Sequence, residues 1–194
     1  SQFNFPVLAI TGSNGKTIVK EWLNQLLSDH YNIVRSPKSY NSQVGVPLSV
    51  WHMKEEHTLG IFEAGISQAG EMEKLQQIIQ PTIGVLTNIG EAHNDGFADE
   101  QQKLIEKLKL FSAADTIICS AEKLNGLQFS SANLFSWGNE KKNDLIITSI
   151  NKQIASTEIC FTQKMNDCLR IPLSQTSDDG AGQHNISNGT EAKK

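Results

Sequence analysis

The strand-like run Val7-Leu8-Ala9-Ile10 leads straight into Thr11-Gly12-Ser13-Asn14-Gly15-Lys16-Thr17. An amphipathic segment follows from Ile18 to Leu27, with Val19, Trp22, Leu23, Leu26 and Leu27 at helical spacing. A strand, a short glycine loop and a helix in that order constrain the fold more than any other stretch of the chain. The glycines let successive backbone N–H groups curl inward, and the following helix aims its positive end at the same point, which makes an anion cradle. In such a cradle Lys16 supplies a mobile cation to phosphate oxygens and the Thr17 hydroxyl is placed to ligate Mg²⁺. Ile10 stands where the longer G-x-x-x-x-G-K-[ST] pattern has its first glycine, leaving the shorter G-x-x-G-K-T. An ordinary tight turn carrying Gly-Lys-Thr is the alternative, and the flanking strand and helix weigh against it.

The rest of the first 120 residues repeats the alternation. Ile33-Val34, Leu59 to Phe62, Ile83 to Leu86 and Thr116 to Cys119 read as strands. Val44 to Trp51, Gly70 to Ile79 and Asp99 to Phe111 read as helices. Strands separated by helices indicate βαβ units and a mainly parallel sheet flanked by helices. From about Asn133 the texture changes to short strand candidates with polar connections: Leu134 to Trp137, Leu145 to Ile150, Glu158 to Thr162 and Leu169 to Leu173. The expected fold is therefore an α/β P-loop core over 1–120, a small appended antiparallel sheet over 133–173, and a polar segment over 174–194.

Composition narrows the function. A net charge of −4 with a pI near 5.7 and no Lys/Arg block argues against a nucleic-acid binder driven by bulk charge. No apolar run approaches the roughly 18 residues needed to cross a bilayer, and no signal peptide opens the sequence. Cys119, Cys160 and Cys168 have neither disulfide-framework nor zinc-site spacing. These features describe a cytoplasmic α/β protein.

Further candidate residues fall at strand ends, where ligands sit in a parallel sheet. Glu63 closes the run Leu59-Gly60-Ile61-Phe62, and its hard carboxylate suits Mg²⁺. It could equally cap the next segment. His93 follows the strand at 83–86 and reads alone as a surface or hydrogen-bonding histidine. At roughly 100° per residue, Lys107 lies about 60° from Leu104, on the edge of a Leu104/Leu108/Phe111 stripe. Lys103 lies about 100° away and Lys109 about 140°. A snorkelling surface lysine is the ordinary reading of such a position.

Taken together, the segments Ile10 to Glu21, Asn41-Ser42-Gln43-Val44-Gly45-Val46-Pro47, Glu63-Ala64-Gly65 with Gly70-Glu71, Asn88-Ile89-Gly90 with Ala92-His93 and Gly96-Phe97, Lys107 to Phe111, and Gly182 to Asn188 resemble the Mur ligase family of peptidoglycan precursor synthesis. The motifs follow one another in family order, and Val19-Lys20-Glu21 with Asn41 to Pro47 tilts toward the type that adds D-alanyl-D-alanine. The resemblance implies ATP-dependent amide formation on a UDP-N-acetylmuramoyl-tripeptide through an acyl phosphate. It implies that Lys16 contacts the γ-phosphate, that Thr17 and Glu63 hold one Mg²⁺, and that a second Mg²⁺ lies near His93 and a CO₂-carbamylated Lys107. It also implies that Thr11, Gly12, Ser13, Asn14 and Gly15 cradle phosphate with Asn41 close by, and that His184, Asn185 and Asn188 frame the adenine. Two departures stand out. Glu106 precedes Lys107 where small residues are common, and Gly189 to Lys194 replaces an apolar helix. The family's N-terminal UDP-sugar domain and C-terminal closing domain have no counterpart in these residues. The expectation is therefore an excised central ATP-binding domain that ligates nothing alone. The rivals are a folylpolyglutamate synthase-like ligase, which shares the loop, and a P-loop nucleotide-binding module without ligase chemistry.

Overall fold

The computed structural model describes residues 3–90, 96–124, 133–153, 156–163 and 168–174. Five strands build the first unit: β1 (Val7–Thr11), β2 (Ile33–Arg35), β3 (Leu59–Glu63), β4 (Ile83–Leu86) and β5 (Thr116–Ser120). They lie in the order β2-β3-β1-β4-β5, and every neighbouring pair is parallel. All five residues of β1 and of β3 are buried, as expected for central strands covered on both faces.

Helices cover the two faces. On one, Val19, Leu23 and Leu27 of α1 (Lys16–Leu27) pack on Leu8, Ile10, Leu59 and Ile61. On the other lie Val46 of α2 (Gly45–Val50), and Met72, Leu75 and Ile79 of α3 (Glu71–Ile79). There they join Leu110 and Phe111 from the 3-10 turn that ends α4 (Glu100–Leu108). A Cβ on Gly84 would stand 2.5 Å from the Phe111 ring, so glycine is what lets that ring come this close to β4.

The strand order positions the site. After β1 the chain leaves through α1 toward β2, whereas after β3 it crosses through α3 to β4 on the opposite side of β1. That reversal opens a crevice above the carboxyl ends of β1 and β3. Register then sets Glu63 beside Ile10 and Leu86 beside Thr11. Residues far apart in sequence thus arrive at one rim.

Helix α4 departs from the expected apolar stripe. Leu104 and Leu108 are only partly buried, while Lys103, Glu106 and Lys107 are 1%, 4% and 2% exposed. Lys103 and Lys107 sit one turn apart on the same face, and polar partners at the strand rim draw that face inward.

The chain divides at Leu134/Phe135, inside β6 (Asn133–Gly138). In the second unit β7 (Leu145–Lys152), β8 (Ser156–Gln163) and β9 (Cys168–Ser174) form an antiparallel meander. Thr148 is the extra residue where the β7–β8 register slips. β6 departs from the expected antiparallel arrangement, because it meets β7 parallel through Trp137↔Leu145 and Gly138↔Ile146. The connection doubles back just far enough to start β7 beside the end of β6. Asp144 Oδ2 closes it by accepting from the Ser136 N–H and hydroxyl, both at 2.8 Å. The polar segment expected over 174–194 lies, after Ser174, outside the described residues.

Candidate functional site

The loop after β1 is held open by its neighbours. Thr11 Oγ1 donates to the Ala64 carbonyl at 2.9 Å, tying the ends of β1 and β3. The Ser13 N–H donates to the Asn88 carbonyl at 2.7 Å, and the Asn14 N–H to Asn88 Oδ1 at 2.8 Å. Thr87 Oγ1 donates to the Asn14 carbonyl at 2.7 Å. Asn88, read from sequence only as part of a motif, is therefore a scaffold of the loop.

Gly12 (φ 148°) and Gly15 (φ 81°) take backbone conformations that side chains disfavour. Gly15 caps α1, which starts at Lys16, two residues earlier than the Ile18 expected from the apolar pattern. Lys16 and Thr17 thus stand in the first helical turn, where unpaired N–H groups and the helix dipole favour an anion.

Two ammonium groups meet on one carbonyl oxygen. Lys16 Nζ donates to the Gly12 carbonyl at 2.9 Å, and Lys107 Nζ reaches the same oxygen at 3.2 Å. Lys103 Nζ donates to the Gly90 carbonyl at 2.6 Å. Burial lowers the pKa of Lys16 against the opposing pull of Glu63. Burial, then the positive charges of Lys16 and Lys103, bring Lys107 down to about 8. Concentrated positive charge on a partly desolvated rim is what a polyanion would neutralise.

The carboxylate lies on the other side of the loop. Thr17 Oγ1 donates to Glu63 Oε2 at 2.9 Å, and Glu63 is fully buried. Two adjacent ligands of an octahedral Mg²⁺, each at about 2.1 Å, stand about 3 Å apart. The Thr17–Glu63 oxygen pair fits that edge, and both are hard donors. Among the described residues no group of three or more His, Cys, Asp or Glu side chains is placed to hold a metal. The fit is therefore to a cation that takes other ligands from phosphate and water, as Mg²⁺ does with nucleotides.

Asn41 packs against Gly65. Its carbonyl accepts from the Gly65 N–H at 2.7 Å, two residues beyond Glu63. Thr11 to Thr17, Asn41, Glu63 and Lys107 are thus brought together. His93, His184, Asn185 and Asn188 lie outside the described residues.

Glu106 turns away from the lysines. Its Oε1 accepts from the Gly70 and Met72 N–H groups at the start of α3, and its Oε2 pairs with Lys109 at 2.8 Å. Burial alone would raise its pKa, but Lys109 and the two N–H groups outweigh that and hold it below the ordinary value. The departure noted in the sequence is absorbed as a helix cap.

Two buried lysines escaped the sequence reading. Lys20 is 0% exposed and contacts Glu63 Oε1 at 3.3 Å. A helical wheel carried a signal for it: Lys20 lies about 20° from Leu27 and about 60° from Leu23, at the edge of the apolar stripe of α1. Lys103 likewise stands about 40° from Lys107 on its helix.

The sheet order, the glycine loop and the strand-end carboxylate define a P-loop α/β domain. The sequence matches the Mur ligase middle domain over residues 10–192, and the chain belongs to the Mur ligase family. A UDP-N-acetylmuramoyl-tripeptide–D-alanyl-D-alanine ligase of Treponema pallidum is 41% identical over 111 residues, covering 56% of this chain and 24% of that protein. The ligase of that name from Buchnera aphidicola of Acyrthosiphon pisum is 33% identical over 200 residues, covering 96% of this chain and 42% of its own. Among solved structures, the MurF ligase of Thermotoga maritima in complex with ADP superposes with a TM-score of 0.77 at 25% identity, covering 89% of this chain and 41% of that one. The chain thus spans between about a quarter and two fifths of the relatives it matches. No helix among the described residues is long and apolar enough to cross a membrane.

Proposed function

We propose that this chain is the ATP-binding part of a cytoplasmic ligase that joins D-alanyl-D-alanine to a UDP-N-acetylmuramoyl-tripeptide. The observation that carries the reading is the meeting of Lys16 and Lys107 on the Gly12 carbonyl, with the Thr17–Glu63 pair across the same loop. The names of the relatives and the ADP in the Thermotoga maritima structure support it.

In this reading the N–H groups of Gly12 to Thr17 cradle the phosphates. Lys16 swings from its loop carbonyls to the γ-phosphate as charge develops on it. Thr17 and Glu63 would hold one Mg²⁺, and Lys107 with His93 would serve a second; bound there, such ions would supply neutralisation of the phosphate charge. Phosphorylation gives the peptide carboxylate a leaving group, and the amine of D-alanyl-D-alanine displaces it to form the amide. Asn41 lies close to the phosphates, and His184, Asn185 and Asn188 frame the adenine. The UDP-muramoyl peptide and the incoming dipeptide are met by other domains of the same protein.

Lys107 is suited to carbamylation. CO₂ reacts with a neutral amine, and a pKa near 8 leaves an appreciable neutral fraction at physiological pH. A carbamate there would turn one of the clustered cations into an anion able to ligate a divalent cation.

Acceptor-dependent phosphate release by the full-length enzyme tests the reaction. With the UDP-muramoyl-tripeptide present, D-alanyl-D-alanine raises release at least about tenfold over background, a difference of about 1.4 kcal/mol in barrier. Release stimulated by glutamate and a folate instead would move the protein to the folylpolyglutamate branch.

A further inference from the structure

Lys20 is a fully buried cation lying behind the proposed metal ligand. Its ammonium faces four acceptors: the Ser36 carbonyl at 2.8 Å, the Lys38 carbonyl, Glu21 Oε1 at 3.2 Å and Glu63 Oε1 at 3.3 Å. Arg35 holds the same Glu21 oxygen at 2.8 Å, and Ser36 Oγ accepts the Glu63 N–H at 3.2 Å. The lysine is therefore fixed from several directions.

The two oxygens of Glu63 consequently have different surroundings. Oε1 is engaged by Lys20, while Oε2 faces the Thr17 hydroxyl. For both oxygens to reach one ion, the carboxylate would have to leave Lys20, taking away its fully buried counter-charge and leaving the ammonium with the half-exposed Glu21 carboxylate that it shares with Arg35. Mg²⁺ is small, demands near-octahedral geometry and takes one oxygen from each carboxylate. Ca²⁺ accepts six to eight ligands and readily takes a carboxylate through both oxygens.

We propose that Lys20 makes Glu63 a one-oxygen ligand and thereby sets the preference of the nucleotide site for Mg²⁺ over Ca²⁺. The inference rests on the reading that Thr17 and Glu63 hold the divalent cation. Lys20 acts through Glu63 and is a positioning residue. If it served only to tie Ser36 and Lys38 to α1, its loss would lower stability and weaken both metals alike. A change in their ratio is specific to the proposed role.

The test compares the chain with its Lys20→Met variant by calorimetric titration with ADP, in EDTA and across Mg²⁺ and Ca²⁺ series. For the unaltered chain, Ca²⁺ reaches its half-effect at a concentration at least about tenfold above that of Mg²⁺, whereas in Lys20→Met the two fall within about threefold. ADP affinity in EDTA stays the same in both. A ratio unchanged by the substitution overturns the inference while leaving the metal site intact. Absence of any metal-stimulated ADP binding in the unaltered chain overturns the Thr17–Glu63 reading itself. Should Lys20→Met fail to fold, a crystal structure of the unaltered chain with ADP and Mg²⁺ decides. Metal on Glu63 Oε2 alone supports the inference, and metal bound through both oxygens contradicts it.

Discussion

Gly12→Ala weakens metal–nucleotide binding by about 100-fold or more and unfolds the chain at distinctly lower urea. The added Cβ would lie 1.9 Å from Thr87 Oγ1 and 2.9 Å from the Asn88 carbonyl. A side chain also disfavours the backbone at φ 148°. Thr87 cannot simply rotate away, because its hydroxyl donates to the Asn14 carbonyl at 2.7 Å, and Asn88 receives the Ser13 N–H. Relieving the clash pulls the loop off the two strand ends that shape it. Overpacking and backbone strain together cost about 2–4 kcal/mol. The loss of inward-facing N–H groups weakens ADP binding in Mg²⁺ by about 100-fold or more, the equivalent of two or more charge-assisted hydrogen bonds. Urea unfolding and ADP titration measure the two effects separately. Affinity equal to that of the unaltered chain would mean that the loop is not the phosphate cradle.

Lys107→Met makes the isolated chain more stable at pH 7 and, under the proposed mechanism, slows the full-length enzyme by about 100-fold or more. In the fold, burial and then Lys16 and Lys103 bring Lys107 from 10.5 to about 8. At about 1.4 kcal/mol per pH unit, its protonated form is disfavoured by up to about 3 kcal/mol. Removing the charge recovers that penalty less the hydrogen bond to the Gly12 carbonyl, worth about 1 kcal/mol. The net gain is about 1–2 kcal/mol at pH 7.

The sign with pH follows from proton counting. Between about pH 8 and 10.5 the unfolded chain retains the Lys107 proton that the folded chain has released. The unaltered chain therefore gains stability from this group as pH rises through that window, and the advantage of Lys107→Met shrinks. Thermal unfolding of both proteins at pH 7 and pH 9.5 reads the change. A variant less stable at pH 7, or an offset independent of pH, would show that Lys107 is not held under electrostatic pressure. Under the proposed mechanism, the same substitution in the full-length enzyme removes the amine proposed to take up CO₂ and lowers kcat by about 100-fold or more.

Much of this fold was legible because its signals are local. The run from Val7 to Leu27 carries strand, loop and helix in the order that creates the cradle, and each central strand is a short apolar block ended by a turn. Glu63 could be assigned to the rim because it closes such a block. The buried charges were harder to read. Lys20 borders the apolar stripe of α1 and Lys103 lies well off that of α4, yet both are fully or almost fully buried. Their partners are Glu63 and a backbone carbonyl far away in sequence. Periodicity locates a face but not the polar group awaiting it. Glu106 shows the same limit, since its role depends on the start of α3 arriving beside it. The parallel contact of β6 with β7 depends on how Ser136 and Asp144 close a connection, which alternation of polar and apolar residues does not encode.

The proposed function requires one strand rim to gather residues of separate segments around a nucleotide phosphate and its divalent cation. Backbone amide NMR of the isotope-labelled chain, titrated with Mg²⁺ and a non-hydrolysable ATP analogue, tests it residue by residue. The largest saturating shifts are expected at Gly12 to Thr17, with further shifts at Glu63, Asn88 and Lys107, and all are lost in Lys16→Met. Saturating shifts confined to a different surface, or none at millimolar analogue, would contradict it.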